Sequence, residues 1–311
     1  MSNDSILCTI VSYNPDYIIK KCVKAIYNQV NEILIVDNGS SKNLDMIREL
    51  NKYSKINAIF NNENLGIAYA LNKGVKYALS KKYKWILTMD QDSEATINMV
   101  NDMLSSYNKL RREDKKKIVS IFPSYVEKAF LKNKNNIEKN VNKEDNELNE
   151  KIDAENIHYV ISEITSGNLV KCDVFNKVGY FKDKLFIDYV DHEFCLRLNK
   201  NGYKLIQVEN AYLLHQLGNS LKKNLFIKKI GYTNHSYIRR YYITRNRIYV
   251  WKKYFREFPK FILKDINGSL KEFVKIIFFE NNKGLKIKMI HKGIHDFFKS
   301  NYGKLNIKER L

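Results

Sequence analysis

Over the first ninety residues, short apolar runs alternate with helical patterns. The runs are Ile6–Val11, Glu32–Val36, Asn57–Phe60 and Trp85–Met89, and the patterns between them fall near Asp16–Asn28, Leu44–Lys52 and Ile67–Ser80. An unbroken apolar run suits a strand buried on both faces, and a helix between two such strands supplies a parallel crossover. The expected fold class is therefore α/β, with a mostly parallel central sheet flanked by helices. In such sheets ligands collect at the carboxyl ends of the strands. Here those ends read Ser12-Tyr13-Asn14, Asp37-Asn38-Gly39, Asn61 to Asn64 and Asp90-Gln91-Asp92, which directs four polar loops to one site.

A strand is expected at Ile118–Phe122. Residues 128–156 are rich in Lys, Asn and Glu and have almost no periodic apolar face, the composition of a solvated, mobile loop. Order resumes at Tyr159–Ile164 and Asn168–Cys172, and a helix is expected to start at Asp191 and to close near Asn201-Gly202. Beyond His215 the chain turns basic and aromatic, with amphipathic helices expected at 237–251 and 261–279. These boundaries divide the chain into a catalytic domain at 1–220 and a basic helical extension at 221–311.

The formal charge of +20 is concentrated in that extension, since residues 216–311 carry 23 Lys and Arg against 6 Asp and Glu. Such a segment attracts polyanions, either nucleic acid or the anionic inner leaflet of a membrane. Basic helices that also carry large apolar faces suit a membrane surface better than a nucleic-acid groove, so no nucleic-acid partner is expected. The N-terminus lacks a basic signal-peptide region, and no apolar run reaches the length of about 18 residues that a spanning helix needs. Cys8, Cys22, Cys172 and Cys195 are widely spaced with no Cys-x-x-Cys pair, as in a chain kept in a reducing compartment. Together these features point to the cytoplasm, with peripheral contact at the inner face of the cell membrane.

Asp90 and Asp92 follow an apolar strand at alternate positions, and side chains two apart on an extended chain share a face. Two carboxylates so placed suit Mg²⁺ or Mn²⁺, which complete their shells with phosphate and water. A turn or a helix cap also produces such a triplet, and Asp37-Asn38-Gly39-Ser40-Ser41 taken alone reads as a plain turn.

Four segments taken together, Cys8–Pro15, Leu34–Ser41, Asn64–Ala68 and Met89–Ser93, resemble the family 2 glycosyltransferases, and the resemblance runs over roughly residues 6 to 247. It implies a GT-A fold and transfer of a sugar from a nucleoside diphosphate with inversion at the anomeric carbon. By that resemblance Tyr13, Asn14 and Asp37 line the base pocket with Asn38 beside them. Asp37 would accept from the N3–H of uracil or thymine. Asn64, Gly66 and the small residues after them lie beside ribose and diphosphate, and Asp90 and Gln91 also contact the donor. The metal falls to Asp92 and Asp90, joined by His215 of the segment His215-Gln216-Leu217-Gly218-Asn219-Ser220.

The cluster from Asp188 to Arg197 is similar to the family's acidic signature, which makes Asp191 the catalytic base, with Glu193 two residues later as its rival. Asp191 as a plain helix-capping residue is the alternative reading. Gly167 and Asn168 are assigned to the acceptor side. Arg245, in Tyr241-Tyr242-Ile243-Thr244-Arg245-Asn246, is assigned to the leaving diphosphate, for which a planar guanidinium is suited. Within the family the stretch Phe186–Phe194, followed by His215 and Gly218, is most like rhamnosyltransferases, implying dTDP-L-rhamnose as donor, or another dTDP- or UDP-sugar. The implied acceptor is a polysaccharide or a lipid-linked oligosaccharide. The competing reading is a non-catalytic basic binding module, either a degenerate transferase domain or a nucleic-acid-binding protein.

Overall fold

A computed structural model describes residues 4–127, 156–215, 220–225 and 228–306; for Glu127, for His215, for 220–225 and for 228–232 it describes the backbone alone. The loop expected at 128–156 lies outside the described residues except for Asn156. The chain forms two compact units, one of residues 1–182 and 194–216, the other of 183–193 and 217–311.

In the first unit, β1 (Ile6–Ser12), α1 (Ile18–Ile26), β2 (Glu32–Asp37), α2 (Leu44–Leu50), β3 (Ile56–Phe60), α3 (Ile67–Ser80) and β4 (Trp85–Asp90) realise the expected alternation. They are followed by β5 (Glu94–Ala95), α4 (Met99–Lys109), α5 (Arg112–Lys117), β6 (Ile118–Glu127), β7 (Ile157–Val160), β8 (Asn168–Lys171) and α6 (Val174–Val178). Helix α7 (Val190–Lys200) begins in the second unit and ends in the first, and β9 (Lys204–His215) completes the set.

The sheet has nine strands among the described residues, ordered β3-β2-β1-β4-β8-β6-β9-β5 with β7 also on β9. Strands β1, β2, β3, β4, β6 and β9 share one direction, and β5, β7 and β8 oppose it, so the sheet is mostly parallel as expected. Strand β1 is buried along nearly its whole length because helices cover both faces, which is why its sequence runs apolar without alternation. The small residues of α3 serve this packing. A Cβ at Gly74 would overlap the Thr9 side chain of β1, and buried Asn72 exchanges two 2.9 Å hydrogen bonds with the backbone of Phe181.

The second unit contains a hairpin, β10 (Ser220–Leu225) with β11 (Lys228–Thr233), then α8 (Tyr237–Tyr254), α9 (Pro259–Phe279) and α10 (Lys283–Phe298). The segment expected to be helical throughout thus opens with two strands and ends in a third helix. Helix α8 departs from the expected amphipathic pattern: Arg240, Tyr241, Tyr242, Ile243, Arg245 and Asn246 are all buried. Its cations are matched from inside. Arg240 pairs with Glu272 and, at 2.5 Å, with Glu280, which also takes Lys286 at 2.7 Å. Buried charges persist only when paired or fully hydrogen-bonded.

Candidate active site

The parallel register sets the carboxyl ends of β1, β2 and β4 level. Ser12 pairs with Asp37, and Val11 pairs with Asp90. The loop after β2 is built on buried Asp37, whose carboxylate accepts from the backbone N–H of Ser40 at 2.9 Å and from the Ser40 hydroxyl. Asn14, at φ 45°, joins the same loop. Its N–H donates to Ser40 Oγ at 2.7 Å and its Oδ1 accepts from Ser41 N at 2.9 Å. Tyr13 stays exposed beside it.

Asn38 ties this loop to the one after β3. Its Nδ2 donates to Asn64 Oδ1 (3.1 Å) and Gly66 O (3.0 Å), and its Oδ1 accepts from Asn61 Nδ2 and Leu65 N, both at 3.1 Å. Gly39, at φ 76°, sits so close to Glu63 and Asn64 that a Cβ would enter their backbone. Only glycine meets both conditions.

Strand β4 stops at Asp90, and Gln91 and Asp92 lie in a turn closed by Ser93 N to Asp90 O at 3.2 Å. The expectation that both carboxylates stand on one face of an extended strand is therefore corrected: the turn, and not the pleat, sets the direction of Asp92. The Gln91 amide is bound to the loop after β1. Its Oε1 accepts from Ser12 Oγ and Tyr13 N, both at 3.0 Å, and its Nε2 donates to Tyr13 O at 3.2 Å. It braces two strand ends against each other.

Behind the turn, buried Ser166 accepts from Asp90 N (3.1 Å) and shares a hydrogen bond with Ser93 Oγ (2.8 Å). Gly167 N donates to Thr88 O at 2.7 Å, and buried Asn168 accepts from Ser120 Oγ at 2.5 Å within the sheet. Gly167 and Asn168 are thus bonded to the neighbouring strands β4 and β6, next to the serine that holds the turn.

In the second unit, Phe186, Asp188 and Tyr189 adopt left-handed backbone conformations, with φ of 67°, 62° and 63°. Non-glycine residues pay for this conformation, and it persists only when neighbours over-determine it. The neighbours are the last two residues of the Tyr-Tyr motif. Asn246 Nδ2 donates to the carbonyls of Leu185 (2.8 Å), Ile187 (2.8 Å) and Asp188 (3.0 Å). Arg245 is fully buried under the rings of Tyr241, Tyr242 and Tyr302, and its guanidinium donates to the carbonyls of Leu185 (3.2 Å) and Gly303 (3.0 Å) and to Asn246 Oδ1 (3.1 Å). Arg245 thus clamps the loop that precedes α7.

Asp188 accepts a forked pair of bonds from Arg239 at 3.0–3.3 Å; burial nonetheless raises its carboxyl above the usual range, with the Asp191 charge adding to the effect. Asp191 is half-buried in the first turn of α7, where its Oδ1 accepts from His192 N at 2.8 Å. Glu193 is wholly buried and holds Lys253 Nζ at 2.7 Å and the Tyr254 hydroxyl at 2.9 Å. Of the two acidic candidates, Asp191 keeps an accessible edge and Glu193 does not. His215 ends β9, and its side chain lies outside the described residues, as do Gln216 to Asn219.

The parts played by Ser166 and Asn246 carry no local signal in the sequence, because the backbone groups each binds lie 58 or more positions away in the chain.

A mostly parallel sheet flanked by helices, with acidic and amide-bearing loops at one strand edge, is the GT-A architecture. The family model for glycosyl transferase family 2 matches residues 8–175, and the chain belongs to that family. It is 29% identical over 258 residues to the dTDP-rhamnosyl transferase RfbF of Shigella flexneri, covering 81% of each chain. Among solved structures it is similar to GalNAc-T7 in complex with UDP, GalNAc and Mn²⁺, at 13% identity and a TM-score of 0.58, covering 95% of this chain. The chain spans 56% of the length of that structure. The protein is thus a glycosyltransferase and not a bare binding module.

Proposed function

We propose that the chain transfers L-rhamnose from dTDP-L-rhamnose, with inversion, to a hydroxyl of a polysaccharide or lipid-linked oligosaccharide in cell-surface glycan synthesis. The observation that carries nucleotide-sugar use is the level set of strand ends, which puts Asp37, the Asn38 network and the Asp90–Asp92 turn at one edge of the sheet. The rhamnosyl relative supports the choice of sugar.

In this reading Tyr13, Asn14 and Asp37 receive the base, and the loops joined by Asn38, Asn64 and Gly66 receive the ribose and diphosphate. Asp90 and Asp92 are partly exposed, and no group of three or more His, Cys, Asp or Glu forms a complete metal cage among the described residues. A pair of carboxylates at a strand end fits Mg²⁺ or Mn²⁺, which complete their shells with phosphate and water. His215 is the proposed third ligand. Such an ion, when bound, neutralises charge on the departing diphosphate.

Asp191 takes the proton from the attacking hydroxyl, while the nucleoside diphosphate leaves from the opposite face of the sugar. Residues 1–220 carry this chemistry, and 221–311 serves as a basic extension. The acceptor is met at an anionic membrane surface, which the basic C-terminal segment engages.

The test is a panel of dTDP- and UDP-sugars, with and without EDTA and with Mn²⁺ or Mg²⁺ restored, on the wild type and on Asp92→Ala and Asp191→Asn. Full turnover in both variants would refute the mechanism. Preference for a donor other than dTDP-L-rhamnose would refute the sugar.

A further inference from the structure

Helix α9 turns its two acids inward and leaves much of its apolar surface outside. Asp265 accepts from the Tyr189 hydroxyl at 2.9 Å and from Trp251 Nε1 at 2.7 Å, and Glu272 pairs with Arg247 at 2.9 Å and with Arg240. Ile262 and Ile276 are buried, but six further apolar residues face out. Leu263, Leu270, Val274 and Ile277 recur at the spacing of one helical face, with Phe273 and Phe278 beside them, and their exposure runs from 37% for Ile277 to 66% for Phe278. Asn267 and Gly268 are the polar interruption in that row. The fully exposed charges of α9 are all cationic: Lys260, Lys264 and Lys271. Among the described residues no helix is long and apolar enough to cross a membrane.

An exposed helical face this apolar is costly in water unless something covers it. Whatever covers it must present apolar material to the leucines and phenylalanines and negative charge to the lysines. A second copy of the chain does not meet that requirement, because a twofold contact through this face would set Lys264 and Lys271 against their own counterparts in a molecule of net charge +20. An anionic lipid surface meets both demands: apolar side chains enter the acyl boundary while lysine stems lie along it and place their ammonium groups among the headgroups.

We infer that the outer face of α9 is the lipid-docking surface of this protein, lying in the plane of an anionic bilayer. The inference rests on the membrane reading proposed above and narrows it to one helix. Acidic side chains that would oppose docking are turned inward by Arg240, Arg247, Tyr189 and Trp251, which keeps the outer face free of negative charge.

The experiment is flotation of the full-length chain with vesicles of phosphatidylcholine alone and of equimolar phosphatidylcholine and phosphatidylglycerol. It compares the wild type with the doubles Leu270→Glu/Ile277→Glu and Lys264→Glu/Lys271→Glu, and with Ile97→Glu as a control at an exposed site in the first unit. The wild type floats with the anionic vesicles, each double lowers partitioning by about ten-fold or more, and the control matches the wild type. Thermal melts and turnover on a short soluble acceptor stay at wild-type levels in both doubles, which separates this result from any failure of the transferase reading.

If the wild type does not float, both the α9 surface and the membrane reading fall. If it floats and the doubles float equally, the α9 surface falls and the membrane reading stands. A wild-type dimer that Leu270→Glu/Ile277→Glu dissociates, with no vesicle binding, would assign the face to a second copy and overturn the proposal.

Discussion

The carboxylate of Glu193 lies 2.7 Å from the ammonium of Lys253, in a site where the Glu193 side chain has no solvent exposure. That pair separates the two acids at the start of α7. Asp191→Asn is expected to lower kcat by about a thousand-fold or more, the scale of losing a general base together with its field. Glu193→Gln should instead lower stability, and Lys253→Met should cost about 3 kcal/mol by stranding a buried carboxylate. Urea unfolding of each variant beside steady-state kinetics checks the division; a Glu193→Gln enzyme as inactive as Asp191→Asn, yet fully stable, would reverse it.

Asn246 holds three carbonyls of a loop with three left-handed residues. Asn246→Ala should destabilise the protein by about 2 kcal/mol, and Asn246→Asp by more, because a carboxylate would face carbonyl oxygens. The loop leads directly into Asp191, so kcat should fall further than the KM for donor rises. An equal loss in both parameters would argue that the clamp acts on the whole fold.

Gly39→Ala should be among the most damaging small substitutions in the first unit. It demands a left-handed alanine and separates the loops after β2 and β3, with an expected cost of about 2 kcal/mol or more. Donor KM should rise, because the Asn38 network is the part disturbed. Isothermal titration with dTDP measures this without turnover.

His235 has its pKa lowered to about 4, first by burial and then by Arg239, Arg240 and Lys286, with Glu272 opposing. In the unfolded chain a histidine titrates near its ordinary value of about 6.5. Folding therefore expels a proton between those values. The contribution to stability is complete above the unfolded pKa and is lost as pH falls from about 6.5 toward 4. His235→Gln should flatten that part of the stability profile, as read from melting temperatures across the window.

Strands β1 to β4 and the helices between them were legible because each is a local pattern: an apolar run, a helical period and a polar loop. The strand-end residues Asp37, Asn38, Asn64 and Asp90 were legible for the same reason, since a parallel βα sheet delivers all its loops to one edge. The hairpin at 220–233 was not, because it carries no apolar alternation strong enough to stand out against its lysines. The burial of α8 was also hidden, since lysine- and arginine-rich periodicity reads as a solvated face until its acidic partners are located.

By itself the sequence determined the α/β architecture, the edge at which the polar loops meet, and the excess of positive charge in the final third of the chain. Which charged groups remain available for chemistry was decided only by tertiary structure. Glu193 meets Lys253 across 60 residues, Arg245 meets the Leu185 carbonyl across 60, and Arg240 meets Glu280 across 40. A charge can be buried only where a partner from elsewhere in the chain compensates its desolvation, and no local pattern records where that partner lies.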